Sequence, residues 1–313
     1  MFKNIFYAFI ICTILLSCQS DKEPEKVSYA QYLVVLGTLQ DAGFPHIDHS
    51  NEFEAVAEGT LTKGRVVSLG LIDKEAGKKW LFEATPDMPQ QLYDLEKHVK
   101  TSEQIIDGVF LTHAHIGHYT GLMYFGKEAM NARGIHTYVM PVMKHFLENN
   151  GPWSQMVTLQ NLALQPLQAD STVHLNKSLK VTPFLVPHRD EYSETVGYRI
   201  EGPEKSALFI PDINKWHLWE RDIVEEIRKV DYAFLDATFM SENEINRPMS
   251  EVPHPYIQET VALLEKEPRS VKAKVVFIHF NHSNPAWFPQ NHYRKQWEAQ
   301  GFKFAEEGQV FQL

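Results

Sequence analysis

One stretch constrains this chain more than any other: Leu111-Thr112-His113-Ala114-His115-Ile116-Gly117-His118-Tyr119-Thr120-Gly121. It follows residues 105–110, whose apolar run reads as a buried strand, and precedes residues 121–132, which read as a helix. Three imidazoles therefore leave a strand end within six residues, where the backbone is no longer tied into a sheet. His113 and His115 alternate along an extended backbone, so both can point the same way. The turn that follows can return His118 beside them. Neutral imidazole is a borderline ligand that suits zinc, iron or manganese. Chance clustering in a chain of 15 histidines is the bland alternative; the His-x-His-x-x-His spacing at a strand end favours ligation.

The 313 residues are enough for one large domain or two small ones with a sizeable buried core. Residues 1–16 stand apart. Lys3 precedes an uncharged run, residues 5–16, too short to span a bilayer stably but of the length and polarity of a secretory signal. It ends in Leu15-Leu16-Ser17-Cys18, which resembles the lipobox of bacterial lipoproteins, a family in which cleavage before the cysteine is followed by its acylation. A plain signal peptide with an incidental cysteine is the alternative. Cys12 lies in the segment to be removed and Cys18 would carry lipid, so no cysteine remains for a disulfide or a thiolate metal site. Loss of residues 1–17 removes Lys3 and no anion, moving the net charge from −10 to −11. That disfavours a general nucleic-acid binder, which needs a basic face. The expected organisation is a signal over 1–17, a polar tether over 18–28 and one domain over 29–313, anchored in a bacterial cell envelope and facing the periplasm or the surface.

Strands are expected at 32–37, 66–72, 79–83, 137–140, 195–200, 207–210, 232–235 and 275–278, with antiparallel strands spread over 157–186. Helices are expected at 86–100, 141–149, 222–229 and 257–265. Strands in two blocks, each followed by helices, suggest layered sheets covered by helices. Strand ends repeatedly carry His or Asp: Val186-Pro187-His188, Phe209-Ile210-Pro211-Asp212, Leu235-Asp236-Ala237-Thr238 and Ile278-His279-Phe280-Asn281-His282. Four such endings after the histidine triplet point to a site built from loops on one sheet edge.

On these motifs the chain resembles the metallo-β-lactamase fold, a four-layer αββα sandwich of the α/β (α+β) class with a metal centre at one sheet edge. The resemblance implies that His113, His115 and His188 hold one ion, that His118 and His279 hold a second, and that Asp212 bridges the pair. The family pattern is His-x-His-x-Asp-His, with the aspartate on the second ion; Gly117 stands at that place. A second site weaker than the first is the resulting expectation, and Gly117→Asp the change expected to strengthen it. The stretches Val34-Val35-Leu36-Gly37-Thr38, Gly43-Phe44-Pro45 and Ile278-His279-Phe280-Asn281-His282-Ser283-Asn284-Pro285 are similar to the subgroup of coenzyme PQQ synthesis protein B, which also includes phosphodiesterases and ribonuclease Z-like enzymes. In the ribonuclease Z-like members an acidic residue in an Ala-Thr-Phe context and a downstream histidine assist phosphodiester cleavage. Asp236-Ala237-Thr238-Phe239 and His254 match them loosely.

The resemblance therefore implies zinc as cofactor, one or two ions, with iron or manganese as alternatives. The expected activity is hydrolysis by metal-bound hydroxide of a phosphodiester or similar ester in a small-molecule substrate. Asp212 would orient the nucleophile, His254 would protonate the leaving group and Asp236 would assist cleavage; a histidine held between Pro253 and Pro255 in a loop is the alternative for His254. Lactone or other ester hydrolysis, iron-dependent oxidation of the PQQ-synthesis type and non-catalytic ligand binding are the competing functions. His46, Asp48 and His49 read as a solvated or hydrogen-bonded loop rather than an extra ion site. Arg189, Tyr192 and Thr195 are pocket-lining candidates, and Trp216 and Trp219 read as packing.

Overall fold

Gln31–Gly37 is buried along its whole length, so it reads as a strand covered on both faces. The computed structural model describes residues 28–99, 104–242, 244, 245 and 252–313. The expected signal, Cys18 and most of the tether lie outside the described residues. Among them, no helix is long and apolar enough to cross a membrane.

Among the described residues, fourteen strands form two seven-stranded sheets. In chain order, β1 (Gln31–Gly37), β2 (Ser68–Asp73), β3 (Lys78–Phe82), β4 (Gly108–Phe110), β5 (Ile135–Val139) and β6 (Leu162–Pro166) lie side by side in the first. The second sheet is built from β7 (Val173–His174), β8 (Lys180–Leu185), β9 (Val196–Glu201), β10 (Ser206–Ile210), β11 (Tyr232–Asp236), β12 (Val275–Ile278) and β13 (Lys303–Phe304). The last strand, β14 (Val310–Gln312), returns to the first sheet and pairs antiparallel with β1, Leu33 opposite Phe311.

Three apolar clusters separate four layers. Leu33, Leu69, Phe82, Tyr198, Phe209 and Phe234 meet between the sheets. The outer face of the first sheet packs on Met88, Leu92, Leu122, Met143 and Trp153. The outer face of the second packs on Ile223, Ile227, Ile257 and Trp297. Trp216 and Trp219 belong to this outer cluster, their indole N–H groups donating to Thr260 Oγ1 and the Leu185 carbonyl, so both pack as expected. The αββα sandwich expected from the sequence is the observed fold.

Three local expectations need correction. Residues 121–132 are not an α-helix: Thr120–Phe125 is a single 3₁₀ segment followed by turns, because Gly121 and Gly126 flank too short a run to propagate. Within 157–186 only β7 and β8 form an antiparallel pair with each other; β6 is a parallel partner of β5 in the other sheet, and Trp153–Thr158 is helical. The segments Ser50–Ala57 and His292–Gln300 are helices beyond those expected.

The arrangement that positions the site is the direction of the strands. β3 to β6 run parallel, as do β10 to β13. β8 and β10 both pair antiparallel with β9 and so share a direction. The segments that follow β3, β4, β8, β10, β11 and β12 therefore emerge along one edge, and open sheets place ligands beyond such carboxyl ends.

Candidate metal centre

Each strand end contributes one or two polar side chains to a single cluster. Thr112-His113-Ala114-His115 leaves β4 in extended backbone and turns into Ile116–Tyr119, burying His113 and His118 while His115 stays partly open. The backbone N–H of His118 donates to the His115 carbonyl, which closes the turn. His188 follows β8, Asp212 follows β10, Asp236 ends β11 and His279 follows β12. His279 adopts φ +67°, a left-handed backbone uncommon for a non-glycine residue and characteristic of functional sites.

His113, His115, His188 and Asp212 face one another. His113 Nε2 lies 2.7 Å from His115 Nδ1 and 3.3 Å from Asp212 Oδ2. His188 Nε2 lies 3.3 Å from His115 Nδ1 and 3.2 Å from Asp212 Oδ2. Zinc bonds of 2.0–2.1 Å to a tetrahedral donor set put the donors about 3.3–3.4 Å apart. The His113–Asp212, His115–His188 and His188–Asp212 separations match that spacing, while His113–His115 is shorter and His115 Nδ1–Asp212 Oδ2, at 4.0 Å, longer; the residues fit such an ion. Asp212 also joins a second group with Asp236, His254 and His279, whose ligand atoms all lie within 4.8 Å of one another. A third group is Asp41, His118 and His279, gathered within the same 4.8 Å. Among the described residues, Asp41 Oδ1, Asp212 Oδ1, His279 Nε2 and both ring nitrogens of His118 are buried without a hydrogen-bond partner. Buried polar atoms are ordinarily paired, so a constellation of such donors suits a cation.

His113, His115, His188 and His279 each have an outer hydrogen-bond partner, and His118 has a carboxylate at ion-pair distance. Thr112 Oγ1 lies 2.8 Å from His113 Nδ1, and Glu191 Oε2 lies 3.0 Å from His115 Nε2. Asn214 Oδ1 lies 3.1 Å from His188 Nδ1, and Thr238 Oγ1 lies 2.8 Å from His279 Nδ1. Glu83, wholly buried at φ +77°, brings Oε2 to 3.5 Å from His118 Nδ1. Such partners fix ring orientation and tautomer at metal sites. Neither Glu83 nor Asp41 was expected from the sequence. An acidic residue closing an apolar strand was the available signal for Glu83; Asp41 sits in a turn and offered none.

The charges follow from this packing. Burial, reinforced by neighbouring His118, holds His113 well below its ordinary value, and burial pushes His279 down to about 4. Both are therefore neutral, the form that ligates. Burial opposes charge on Asp212, yet His188, His254 and hydrogen bonds from His113 and His115 hold its carboxyl well below the usual range. Burial likewise opposes a cation at His118, but Glu83, Asp41 and Asp212 push it up to about 9. His254 lies with Nδ1 2.8 Å from Asp236 Oδ2, 3.1 Å from Asp212 Oδ1 and 3.2 Å from Thr238 Oγ1. Burial opposes its charge too, and Asp236 with Asp212 outweighs burial, pushing His254 up to about 9. Asp236 is itself fixed by the Ile213 and Thr238 N–H groups and the Thr238 hydroxyl.

The structure thus brings together all eight sequence-predicted site residues: His113, His115, His118, His188, Asp212, Asp236, His254 and His279. The expectation attached to Gly117 is corrected. A Cβ built there would lie 2.5 Å from the Asp41 Cα and 3.0 Å from its Cγ, and closer still to Oδ1. Gly117→Asp therefore cannot strengthen the site without displacing the Asp41 turn. The loop holding His46 and His49 is hydrogen-bonded: Glu52 accepts from the His46 backbone N–H and lies 2.8 Å from His282 Nδ1. His46 and His282 stack with ring centroids 4.0 Å apart, and with His49 they form a further group able to hold an ion; Asp48 stands outside it. Of the pocket-lining candidates, Tyr192 is exposed and Thr195 Oγ1 donates to Asp190 Oδ1.

Two mixed sheets with covering helices and a histidine- and aspartate-rich edge define a metallo-β-lactamase-fold protein. The chain belongs to the beta-lactamase superfamily, whose domain model matches residues 78–280, more than half of its length. Coenzyme PQQ synthesis protein B of Gluconobacter oxydans (strain 621H) is 27% identical over 307 residues, covering 90% of this chain and 98% of that protein. The structure of zinc-bound PqqB from Methylobacterium extorquens superposes with a TM-score of 0.73 at 20% identity, covering 90% of this chain and all of that one (100%). A diphosphatase of the PhnP family gives 0.61 at 22% identity, covering 90% and 96%. Human tRNase Z, short form, gives 0.57 at 15% identity, covering 90% and 98%. These structural likenesses establish the fold.

Proposed function

We propose that the chain is a metal-dependent hydrolase whose substrate is a small phosphodiester or similar ester. The observation that carries this reading is the double membership of Asp212. It belongs to one ligand-spaced group with His113, His115 and His188, and to another with Asp236, His254 and His279. A carboxylate so placed suits a bridge between two ions. Zinc is the first choice, on the donor set and on the zinc-bound PqqB structure of similar fold. Bound ions would supply a water ionised near neutral pH and a Lewis acid for the bond under attack.

The chain's own groups account for the rest. His113 is held neutral by burial, and His113, His115 and His188 are all oriented by outer partners, so their rings can present lone pairs inward. Asp212, anionic and immobile, orients the attacking water. His254 carries a proton at pH 7 beside that carboxylate and is held there by Asp236. As the new P–O bond to water's oxygen forms and the bond to the alcohol breaks, His254 gives its proton to the departing alkoxide. It regains one proton from those the water sheds, and the other leaves to solvent. This is general acid catalysis with a group charged at working pH.

The resemblance to coenzyme PQQ synthesis protein B favours a second reading, oxidation at an iron ion. One panel separates the two. Zinc- or manganese-loaded protein is assayed on a nitrophenyl phosphodiester, a lactone and a carboxylic ester, and iron-loaded protein for oxygen uptake with phenolic substrates. Phosphodiester turnover supports the proposal; oxygen uptake without any hydrolysis overturns it. A lipid anchor at Cys18, supported by the lipobox-like Leu15-Leu16-Ser17-Cys18, belongs to the same proposal and would put the activity in a cell envelope.

A further inference from the structure

We propose that Asp41 is the carboxylate ligand of the second ion, reaching it from a turn far away in sequence and filling the space that a side chain at position 117 would take. The proposal rests on the metal-centre reading above and assigns its second half. Asp41 lies in the turn after β1, and that turn is pinned directly beside His279. The Gln40 N–H donates to the Phe280 carbonyl at 2.8 Å, and the Phe280 N–H donates to the Thr38 carbonyl at 2.9 Å. The Asn281 side-chain amide donates to Gln40 Oε1 at 2.6 Å. Gly43 closes the turn at φ +66°, and its N–H donates to the Gln40 carbonyl at 2.8 Å. The segment on either side of Asp41 is therefore laced to the residues following His279.

From that turn the carboxylate enters the cluster. Asp41 Oδ1 is 3.5 Å from His118 Nε2, which is 3.8 Å from Asp212 Oδ2. Asp41 Oδ1, His118 Nε2 and His279 Nε2 are each buried without a hydrogen-bond partner. Three such atoms on three separate chain segments, converging with Asp212, suit one divalent ion better than any hydrogen-bond scheme. Gly117 is what admits Asp41. Its backbone is not in the left-handed region, so conformation does not demand glycine; space does, because a Cβ would lie 2.5 Å from the Asp41 Cα. Glycine at 117 and aspartate at 41 are thus one device. The second site is complete, and the difference in ligand number expected from the sequence disappears.

The test titrates the full chain, stripped by chelator, with Zn²⁺ alone, reading stoichiometry and affinity by calorimetry. Wild type is expected to bind two ions. Asp41→Asn is expected to keep the first and to weaken the second by more than the roughly 10–100-fold lost when an outer partner of a ligand is removed. Gly117→Ala changes none of the ligand residues but displaces Asp41, so it should reproduce the loss. The double variant should be no weaker than the worse single one, the non-additivity of two changes acting on one contact. Second-ion affinity unchanged in Asp41→Asn overturns the proposal and leaves the hydrolase reading standing. Loss of both ions together in Asp41→Asn overturns it too, because Asp41 would then be holding the loop. A single ion in wild type, abolished by His188→Ala, overturns it while a one-ion hydrolase survives. No ion in wild type overturns both.

Discussion

His254→Ala separates proton donation from every other contribution of the site. His254 Nδ1 is 2.8 Å from Asp236 and 3.1 Å from Asp212, and these carboxylates overcome burial to push its pKa up to about 9. At pH 7 the imidazolium therefore outnumbers the neutral ring by about a hundred to one. An ion on Asp212 removes part of that support, so in the loaded protein the titration falls at or below 9, with Asp236 still sustaining it. The acid form is present below the pKa and lost above it. Turnover of a phosphodiester with a poor leaving group should accordingly fall on the alkaline side, and the limb should vanish in His254→Ala. The loss of kcat at pH 7 should be about 10²–10⁴-fold, which is about 2.7–5.4 kcal/mol at 1.36 kcal/mol per decade. A nitrophenolate departs without a proton, so on that substrate the loss should shrink and the alkaline limb should be weak. Steady-state kinetics on a methyl and a nitrophenyl ester of the same phosphate, from pH 6 to about pH 10, reads both. Equal losses on the two substrates, with ion content unchanged, would remove His254 from the acid role.

Glu83→Gln keeps the size of the side chain but removes the charge behind His118; the affinity of the second ion should fall about 10–100-fold with the three-histidine ion unaffected, and calorimetry showing equal losses at both would contradict this. In the metal-free protein His118 is pushed up to about 9, so an ion binding there at pH 7 must expel its proton. Second-ion affinity should therefore rise about tenfold per pH unit from 7 towards 9 and then level off, with about one proton released at pH 7 in buffers of differing protonation enthalpy; no release would refute the charge assignment. Cys18→Ala should move the protein from the membrane fraction to the soluble one, and retention in the membrane fraction would rule out a lipid anchor at that residue.

Local patterns carried most of the site in the sequence. His113, His115 and His118 fall within six residues, and His188, Asp212, Asp236 and His279 each close an apolar run that sheet burial makes easy to recognise. Asp41 was hidden because its partners are His118 and His279, and no periodicity links a turn near the first strand to either. Nor does the sequence show that the space beside Gly117 is occupied by the Asp41 turn. Fold class was recognisable from strand and helix order, whereas the return of β14 to pair with β1 depends on a contact between the chain's two ends. Residues 121–132 hold helix formers, but the glycines at 121 and 126 leave too short a run for an α-helix to propagate. The β6 segment misled because alternation does not say which sheet a strand joins.

The central claim is that ions held by this cluster make the chain a phosphodiester hydrolase. Its most direct measurement is hydrolysis of bis(p-nitrophenyl) phosphate by chelator-stripped full-length protein as Zn²⁺ or Mn²⁺ is returned, with bound ion counted in the same samples. Activity should be absent without metal and should rise in step with bound ion, and His188→Ala should lose both together. Full ion occupancy without phosphodiester cleavage, or cleavage that persists in the metal-free protein, would contradict the account.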